Sequence, residues 1–507
     1  MDGLSRKIYL ELPAPSEEDS VSAQQRILRA LPAEFSGTKL DLGLLRKLDP
    51  LCSRAGWKIT LSLAWDGECF HGVNAEAGNT AHCHYGIALD LGSTTVAGEL
   101  INCDTGDVIA RESAYSRQIA YGDDILTRIF YCKDQPEHLE ELRLATVRTV
   151  NDVILGLTEA AGINPGSIPS AVLAGNTTMI HFLLGLDPFC VFSSPYAVVA
   201  DNPGFFRAEE LGIKLGGYLY LYPCKANYLG GDIISGVAAS GMINSQEICV
   251  FLDIGTNGEL VVGNQDFLLC GAGAAGPALE GGVVKTGMRA VKGAVSGVRL
   301  EKGEFVLETI GETAPKGICG SGIVDMLSEL FLNGWMDFRG KLNKNASPKI
   351  TEREGELCVS YAPGLYFYQS DIDEFIKTKA AANTMVSYML HAAGIPMEEV
   401  GRFYVAGAFG THMNKEAAVN IGLYPDMERD RIVSLGNASL AGARLLLLNR
   451  DVLRQTGQIL ELMQYVQFGA VENFLELMRA ASVFPHMDLK LYPSVVRKLE
   501  EKKKEAV

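Results

Sequence analysis

The chain has 507 residues, 47% hydrophobic and 21% charged, with a net charge of −16; this length exceeds a single core and predicts two to four domains of ordinary globular composition. The acidic balance excludes a nucleic-acid binder, which needs a basic surface to displace counterions. Eleven scattered cysteines, an opening MDGLSRKIYLELPAPSEED with no apolar run, and no stretch long enough to span a bilayer predict a protein of the reducing cytoplasm.

In chain order, residues 1–35 read as a linker, either a connector or a small packing unit. They hold a strand-like run at 8–12, a turn rich in proline and acid (Pro13, Pro15, Glu17, Glu18, Asp19) and a helical stretch at 23–31. Residues 36–84 carry a helix candidate at 40–51 and a strand candidate at 57–65, and read as a small α/β domain. From Tyr85 onward glycine-rich loops separate apolar strands at 85–91, 172–175, 249–254 and 403–406, with helical spacing at 139–161. That alternation predicts α/β lobes with mostly covered sheets, a first over 85–245 and a second, with a C-terminal return, over 246–507. The charge run at 498–504 reads as a solvated helix end.

One internal repeat stands out. Residues 89–100 read LDLGSTTVAGEL and residues 252–263 read LDIGTNGELVVG, with Asp90 and Asp253 separated by 163 positions; this suits two similar lobes rather than a short-period solenoid. In each copy a buried strand reaches an aspartate and turns through glycine, Gly92 or Gly255, into a second strand. Glycine lets the backbone turn tightly and approach a ligand. The loop N–H groups, with Ser93, Thr94 and Thr95 in one copy and Thr256, Asn257 and Gly258 in the other, suit phosphate oxygens. Asp90 and Asp253 suit Mg2+ held through water, because Mg2+ takes oxygen ligands and keeps part of its hydration shell. A single D-x-G loop is most simply a hairpin turn. Two matched copies predict a clamp on the β- and γ-phosphates of ATP, since positioning and charge neutralisation are most of what phosphoryl transfer needs.

Three further segments fit. Val405-Ala-Gly-Ala-Phe-Gly410 runs from a strand into glycines, and Gly407, Ala408, Phe409 and Gly410 suit a flat adenosine laid against the backbone. Gly230-Gly231-Asp232 opens a helix of small residues at 233–241. Asp232 reads as a helix N-cap or, functionally, as a general base or the group orienting the attacking water. A second small-residue helix at 435–443 reads as its counterpart in the second lobe; small residues on facing helices permit close packing and a hinge or shear.

These segments, in this order, resemble the superfamily of acetate and sugar kinases, heat-shock chaperones and actin. Asp90–Thr95 matches its first phosphate motif, residues 253–258 its second and residues 406–410 its adenosine motif. Within that superfamily the chain resembles the ATP-dependent reductive activators of corrinoid proteins. The segments YGDDILTRI at 121–129, GNTTM at 175–179, AGPALEG at 275–281, GICGSG at 317–322 and FPH at 484–486 carry that resemblance over nearly the whole chain. It implies two actin-like (ribonuclease H-like) lobes with an ATP cleft, ATP and Mg2+ as ligands, and a corrinoid protein as partner. The activity implied is ATP-coupled reduction of cobalt(II) to the cobalt(I) nucleophile of methyl transfer. Nucleotide and partner binding must then bias the same two-state arrangement.

Relatives of this kind bring the electron through an iron–sulfur domain with four clustered cysteines. A [2Fe–2S] site needs four thiolates at close spacing, and the cysteines at 52, 69, 83, 103, 132, 190, 224, 249, 270, 319 and 358 show no such cluster. The expectation is a separate or removed iron–sulfur electron donor, or a member that does not itself transfer electrons. A homodimer is allowed and not required. Two other functions stay open: a sugar or carboxylate kinase, with Asp232 deprotonating the acceptor, and a nucleotide-gated binding module without catalysis. Among weaker features, His82-Cys83-His84 reads as exposed linker rather than a metal site. Cys270 and Cys319 read as buried thiols, Glu280 and Lys285 equally as a surface pair or as groups near the nucleotide, and Arg128 as a surface charge ahead of one reaching the cleft.

Overall fold

A computed structural model describes residues 2–255, 257–274, 284–407, 413–466, 468 and 474–505. The chain divides into two compact units, one of Met1–Ala239 with Ala438–Glu461, the other of Ser240–Asn437 with Leu462–Val507. Among the described residues no helix is long and apolar enough to cross a membrane.

The first unit opens with a four-stranded sheet of β1 (Ser5–Glu11), β2 (Lys39–Leu40), β3 (Lys58–Trp65) and β4 (Phe70–Ala77), ordered β1-β3-β4-β2. The segment expected to be a linker supplies its edge strand: β1 runs antiparallel along the full length of β3, from Ser5 opposite Ala64 to Glu11 opposite Lys58. The reason lies in β3, whose Ile59–Ala64 run is buried at every position. Such a strand is a central one and needs a neighbour on each edge. Leu10 and Leu12 join Ile59, Leu61 and Leu63 in one core, with Ile27 of the Ala23–Ala30 helix and Leu44 and Leu48 of the Leu42–Arg54 helix.

A six-stranded sheet follows: β5 (Tyr85–Leu91), β6 (Thr95–Asn102), β7 (Val108–Tyr115), β8 (Ser170–Gly175), β9 (Gly204–Arg207) and β10 (Tyr218–Leu221), ordered β7-β6-β5-β8-β10-β9. β5, β6 and β7 form an antiparallel meander, β8 lies parallel to β5, and β10 parallel to β8. The Pro136–Ala161 helix buries Leu142, Val150, Val153 and Leu157 in the core shared with β5 and β6, and Gly162 ends it in the left-handed region. Full burial of each such side chain contributes about 1.5–3 kcal/mol.

The second unit carries β11 (Ile248–Ile254), β12 (Asn257–Gly263), β13 (Leu268–Ala274), a three-stranded sheet of β14 (Ala294–Glu301), β15 (Glu304–Thr309) and β16 (Gly317–Ile318), and a meander of β17 (Ile350–Arg353), β18 (Glu356–Ala362) and β19 (Leu365–Tyr368). With β20 (Val400–Ala406), β21 (Ile432–Gly436) and β22 (Met463–Tyr465) its main sheet is ordered β21-β20-β11-β12-β13-β22. β11, β12 and β13 are again an antiparallel meander, β20 is parallel to β11, and β21 to β20. Thus β7-β6-β5-β8-β10 and β13-β12-β11-β20-β21 are one five-strand arrangement built twice.

The small-residue segment read at 435–443 divides differently from its expectation. Residues through Gly436 finish β21, and the Ala438–Leu448 helix belongs to the first unit, where it packs on β5 and β8. Its Gly442 lies against Ser235 of the Gly231–Ser240 helix so closely that a Cβ would run into the Ser235 carbonyl oxygen. Tyr222 Oη donates to the Gly442 carbonyl at 3.0 Å. The small side chains therefore serve backbone-to-backbone helix packing.

Candidate functional site

β5 and β11 share one pattern: four consecutive buried residues, a half-buried aspartate, then a buried residue before the turn. The apolar run seats each strand mid-sheet and delivers Asp90 or Asp253 to its carboxyl end, where open α/β sheets bind ligands. Asp90 stands opposite Ala97 in the hairpin and Ala174 in β8; Asp253 stands opposite Glu259 in the hairpin and Ala406 in β20. Ala174-Gly175 and Ala406-Gly407 therefore occupy one position in the two sheets. This second repeat, VLAG at 172–175 against YVAG at 404–407, was missed in the sequence because four residues carry too little signal until the strands are paired.

In the first unit the loop of Gly92, Ser93 and Thr94 is held from behind. Arg128 Nη1 donates to the Ser93 carbonyl at 2.6 Å and to Gln118 Oε1 at 3.2 Å, and its Nε donates to the Gly122 carbonyl at 2.8 Å. The Ser116 N–H donates to the Thr94 carbonyl at 2.8 Å. Arg128 is 0% exposed, which corrects its reading as a surface charge. The short Ile125–Cys132 helix, capped by the Asp124 side chain on the Thr127 N–H, turns Arg128 inward beside Ile129. Burial lowers the Arg128 pKa, and the guanidinium nonetheless stays charged. With the loop carbonyls engaged inward, Ser93, Thr94 and Thr95 are half-exposed, and their hydroxyls make no hydrogen bond to another described residue. Arg128→Met leaves the part-buried Ser93 and Gly122 carbonyls without their donor and should destabilise the chain by about 1–3 kcal/mol. Arg128→Lys should rescue it only partly, because one ammonium cannot reproduce the guanidinium fork. Denaturant unfolding and hydrogen exchange at residues 92–94 measure both, and wild-type values in both variants would refute the brace.

Asp90 accepts a hydrogen bond from Ser439 Oγ at 2.8 Å, so the Ala438–Leu448 helix orients this carboxylate; the sequence marked Ser439 only as small. Asp232 lies half-buried in the first turn of the Gly231–Ser240 helix, where the Ile233 N–H donates to its Oδ1 at 2.9 Å. It therefore lies inside the helix, one position past its first residue, and is not the N-cap expected from the sequence. The same turn touches the loop after β8: a Cβ on Gly230 would lie 2.7 Å from both Asp232 Oδ1 and the Thr177 nitrogen. Asn176 caps the Thr177–Leu184 helix by accepting from the Met179 N–H at 2.9 Å. The carboxyl ends of β5 and β8 thereby gather Asp90, Gly92, Ser93, Thr94, Thr95, Asn176 and Asp232.

In the second unit the Gly255 N–H donates to the Asn257 carbonyl at 2.8 Å and closes the hairpin. Asn257 is exposed, and Gly258 pairs with Ile254. Gly407 has φ +92°, and a Cβ there would lie 3.0 Å from Asp253 Oδ1 and 3.1 Å from the Ile254 carbonyl oxygen. Both the backbone conformation and the contact require glycine. Gly407 N–H donates to the Gly436 carbonyl at 2.9 Å, continuing the β20–β21 pairing. Thr256, Ala408, Phe409, Gly410 and Glu280 lie outside the described residues. Half-buried carboxylates at strand ends, loop hydroxyls and close-approach glycines are hard-oxygen chemistry, which fits a hydrated Mg2+ and phosphate.

The remaining sequence candidates resolve into structural roles. His84 is 2% exposed rather than solvent-facing: Ser5 Oγ lies 2.8 Å from its Nε2 and Asp104 Oδ1 2.8 Å from its Nδ1. Burial lowers its pKa, and the Asp104 hydrogen bond opposes that. Lys285 pairs with Glu354 at 2.9 Å and Glu356 at 2.7 Å. Cys270 and Cys319 are buried, and all eleven cysteines are free.

A five-strand sheet built twice, each copy presenting an aspartate hairpin beside a parallel strand that ends in Ala-Gly, defines the actin-like class of α/β proteins. Residues 1–82 match the RACo linker region, 85–245 the RACo middle region, and 247–496 the C-terminal domain of RACo, the ASKHA domain. The chain is 30% identical over 418 residues to the corrinoid activation enzyme RamQ of Eubacterium limosum, covering 79% of this chain and 70% of that protein. It is 24% identical over 398 residues to the Co(II) methylated amine-specific corrinoid protein reductase of Methanosarcina barkeri, covering 73% and 71%. A solved structure of a reductive activator for corrinoid,iron-sulfur protein superposes with a TM-score of 0.89 at 35% identity, covering 97% of this chain and 81% of that one. The chain belongs to the RACo family, the reductive activators of corrinoid proteins.

Proposed function

We propose that this chain binds and hydrolyses Mg·ATP and couples it to one-electron reduction of the cobalt(II) corrinoid of a partner protein to cobalt(I), with an iron–sulfur protein or domain as electron donor. The observation that carries this reading is the matched pair of aspartate hairpins, each on the middle strand of one five-strand arrangement that recurs in the two six-stranded sheets, in a chain of this family. In this reading Asp90 and Asp253 hold the hydration shell of Mg2+. Ser93, Thr94, Thr95, Thr256 and Asn257 bind phosphate oxygens, residues 407–410 line the adenosine, and Asp232 orients the attacking water. Bound Mg2+ neutralises the phosphate charge that builds up in transfer. Reduction to cobalt(I) is uphill, so nucleotide must change the affinity for the corrinoid partner; linkage makes that effect reciprocal.

The test is a titration of a cobalt(II) corrinoid protein with the chain, without nucleotide and with ADP or ATP, alongside a low-potential donor and the cobalt(I) absorption. The expected result is a shift in partner affinity of about 5-fold or more between nucleotide states, and cobalt(I) formed only with ATP. Absence of binding in every state removes the reading. ATP turnover that needs a sugar or carboxylate and no corrinoid protein makes the chain a kinase instead.

A further inference from the structure

The turn joining β3 to β4 gathers a set of donors that the phosphate-binding reading does not use. Asp66 Oδ1 accepts from the Glu68 and Cys69 N–H groups, each at 2.8 Å, which closes the turn. Its Oδ2 lies 2.8 Å from His71 Nε2, and Cys69 Sγ lies 3.6 Å from that same nitrogen. The three ligand atoms fall within 4.8 Å of one another, and all three residues are half-buried. On the far side of the ring, His71 Nδ1 lies 2.8 Å from Asp41 Oδ1. Asp41 precedes the Leu42–Arg54 helix without capping it; its carboxylate goes to His71 and to an ion pair with Arg207 of β9.

A neutral imidazole has one N–H and cannot donate to two carboxylates. With the Nδ1 proton on Asp41, the Nε2 lone pair faces a carboxylate oxygen and a sulfur. These three atoms, within 4.8 Å of one another, are close enough to share one cation; Lys39 adds a positive charge beside Cys69. The donor mix of sulfur, nitrogen and oxygen suits zinc, and a carboxylate behind the ligating imidazole is the usual second partner of such a histidine. Tetrahedral coordination at ordinary zinc distances places sulfur and nitrogen about 3.5 Å apart and nitrogen and oxygen about 3.3 Å apart. The first matches as it stands; the second asks the Asp66 carboxylate to move by about 0.5 Å.

We propose that Asp66, Cys69 and His71 bind one divalent transition-metal ion of the zinc class, with a water in the fourth position and Asp41 as the positioning residue on the imidazole. The ion fastens the β3–β4 turn to Asp41 and, through Arg207, to the edge of the six-stranded sheet, within the first unit.

The test titrates the purified chain with Co(II) and then Zn(II). One ion per chain is expected, with a thiolate-to-cobalt charge-transfer band that Zn(II) abolishes. Cys69→Ser should remove the band, and His71→Ala should weaken binding at least about 100-fold. Asp41→Asn should weaken it about 10-fold or more while keeping the band, and His82→Ala should leave binding unchanged. A readout independent of variant folding is alkylation of Cys69 in the unaltered chain, followed by peptide mass, which Zn(II) should slow. The proposal is overturned by the absence of stoichiometric binding, by a band that survives Cys69→Ser, or by Cys69 alkylation indifferent to Zn(II).

Discussion

Asp253→Asn should lower ATP turnover by about 100-fold or more, because charge neutralisation by a bound Mg2+ contributes several kcal/mol and each 1.36 kcal/mol is a factor of ten in rate. The carboxamide keeps the shape of the carboxylate and loses its charge. Asp253 is half-buried beside Gly407, and Val250, Leu252 and Ile254 hold β11 in its core without it. The variant should therefore unfold within about 1 kcal/mol of the parent. Asp90→Asn should behave in the same way, with a further sign of shared purpose. If both aspartates serve one reaction, the double variant falls little below either single one, since residues acting as a unit are strongly non-additive. Steady-state ATPase assays with calorimetric controls for folding read all three. Undiminished turnover in Asp253→Asn sinks the proposal that this hairpin acts in hydrolysis. Strictly multiplicative losses would assign the two hairpins to separate tasks.

The parts of this molecule that were legible in the sequence are those whose physics is local. Tyr85–Leu91 could be read to the residue because an apolar run meets an aspartate and a glycine turn. The Asp90 and Asp253 hairpins could be read because the motif occurs twice. What escaped depends on partners far away in the chain. The strand-like run at 8–12 is legible, but its place as an edge strand is set by β3, some fifty residues on. The Ala438–Leu448 helix follows β21 in sequence, yet packs on β5 and β8. Arg128 and Ser439 look like a surface charge and a small helix residue until the fold brings them to the Ser93 carbonyl and the Asp90 carboxylate. Polar residues of this kind carry no periodicity, so only tertiary structure separates a solvated one from a buried brace.

Lys379 is the extreme case, and Lys379→Met should cost about 3–5 kcal/mol of stability. The residue lies within the Gln369–Ala392 helix at 0% exposure. Its Nζ donates to the carbonyls of Ala481 and Val483, each at 2.7 Å, and to that of Pro485. An ammonium has three N–H donors, and here three acceptors meet them. Burial pulls the amine down to about 7. The three carbonyls act the other way, since hydrogen bonds to the charged form favour it, and the match of donors to acceptors assigns the ammonium as the structural form. The acceptors lead up to and into Phe484-Pro485-His486, one of the segments by which the chain resembles its family. Phe484 is itself buried, with its N–H donated to the Phe338 carbonyl at 2.7 Å. Methionine fills much of the same volume and satisfies none of the three carbonyls, so the loss falls on the attachment of residues 481–486. Denaturant unfolding should show the reduced stability. Hydrogen exchange should show lost protection at residues 481–486 before it spreads to β11 and β20. Unchanged stability together with unchanged protection would mean that apolar packing of Phe484 holds this segment and the buried lysine does not.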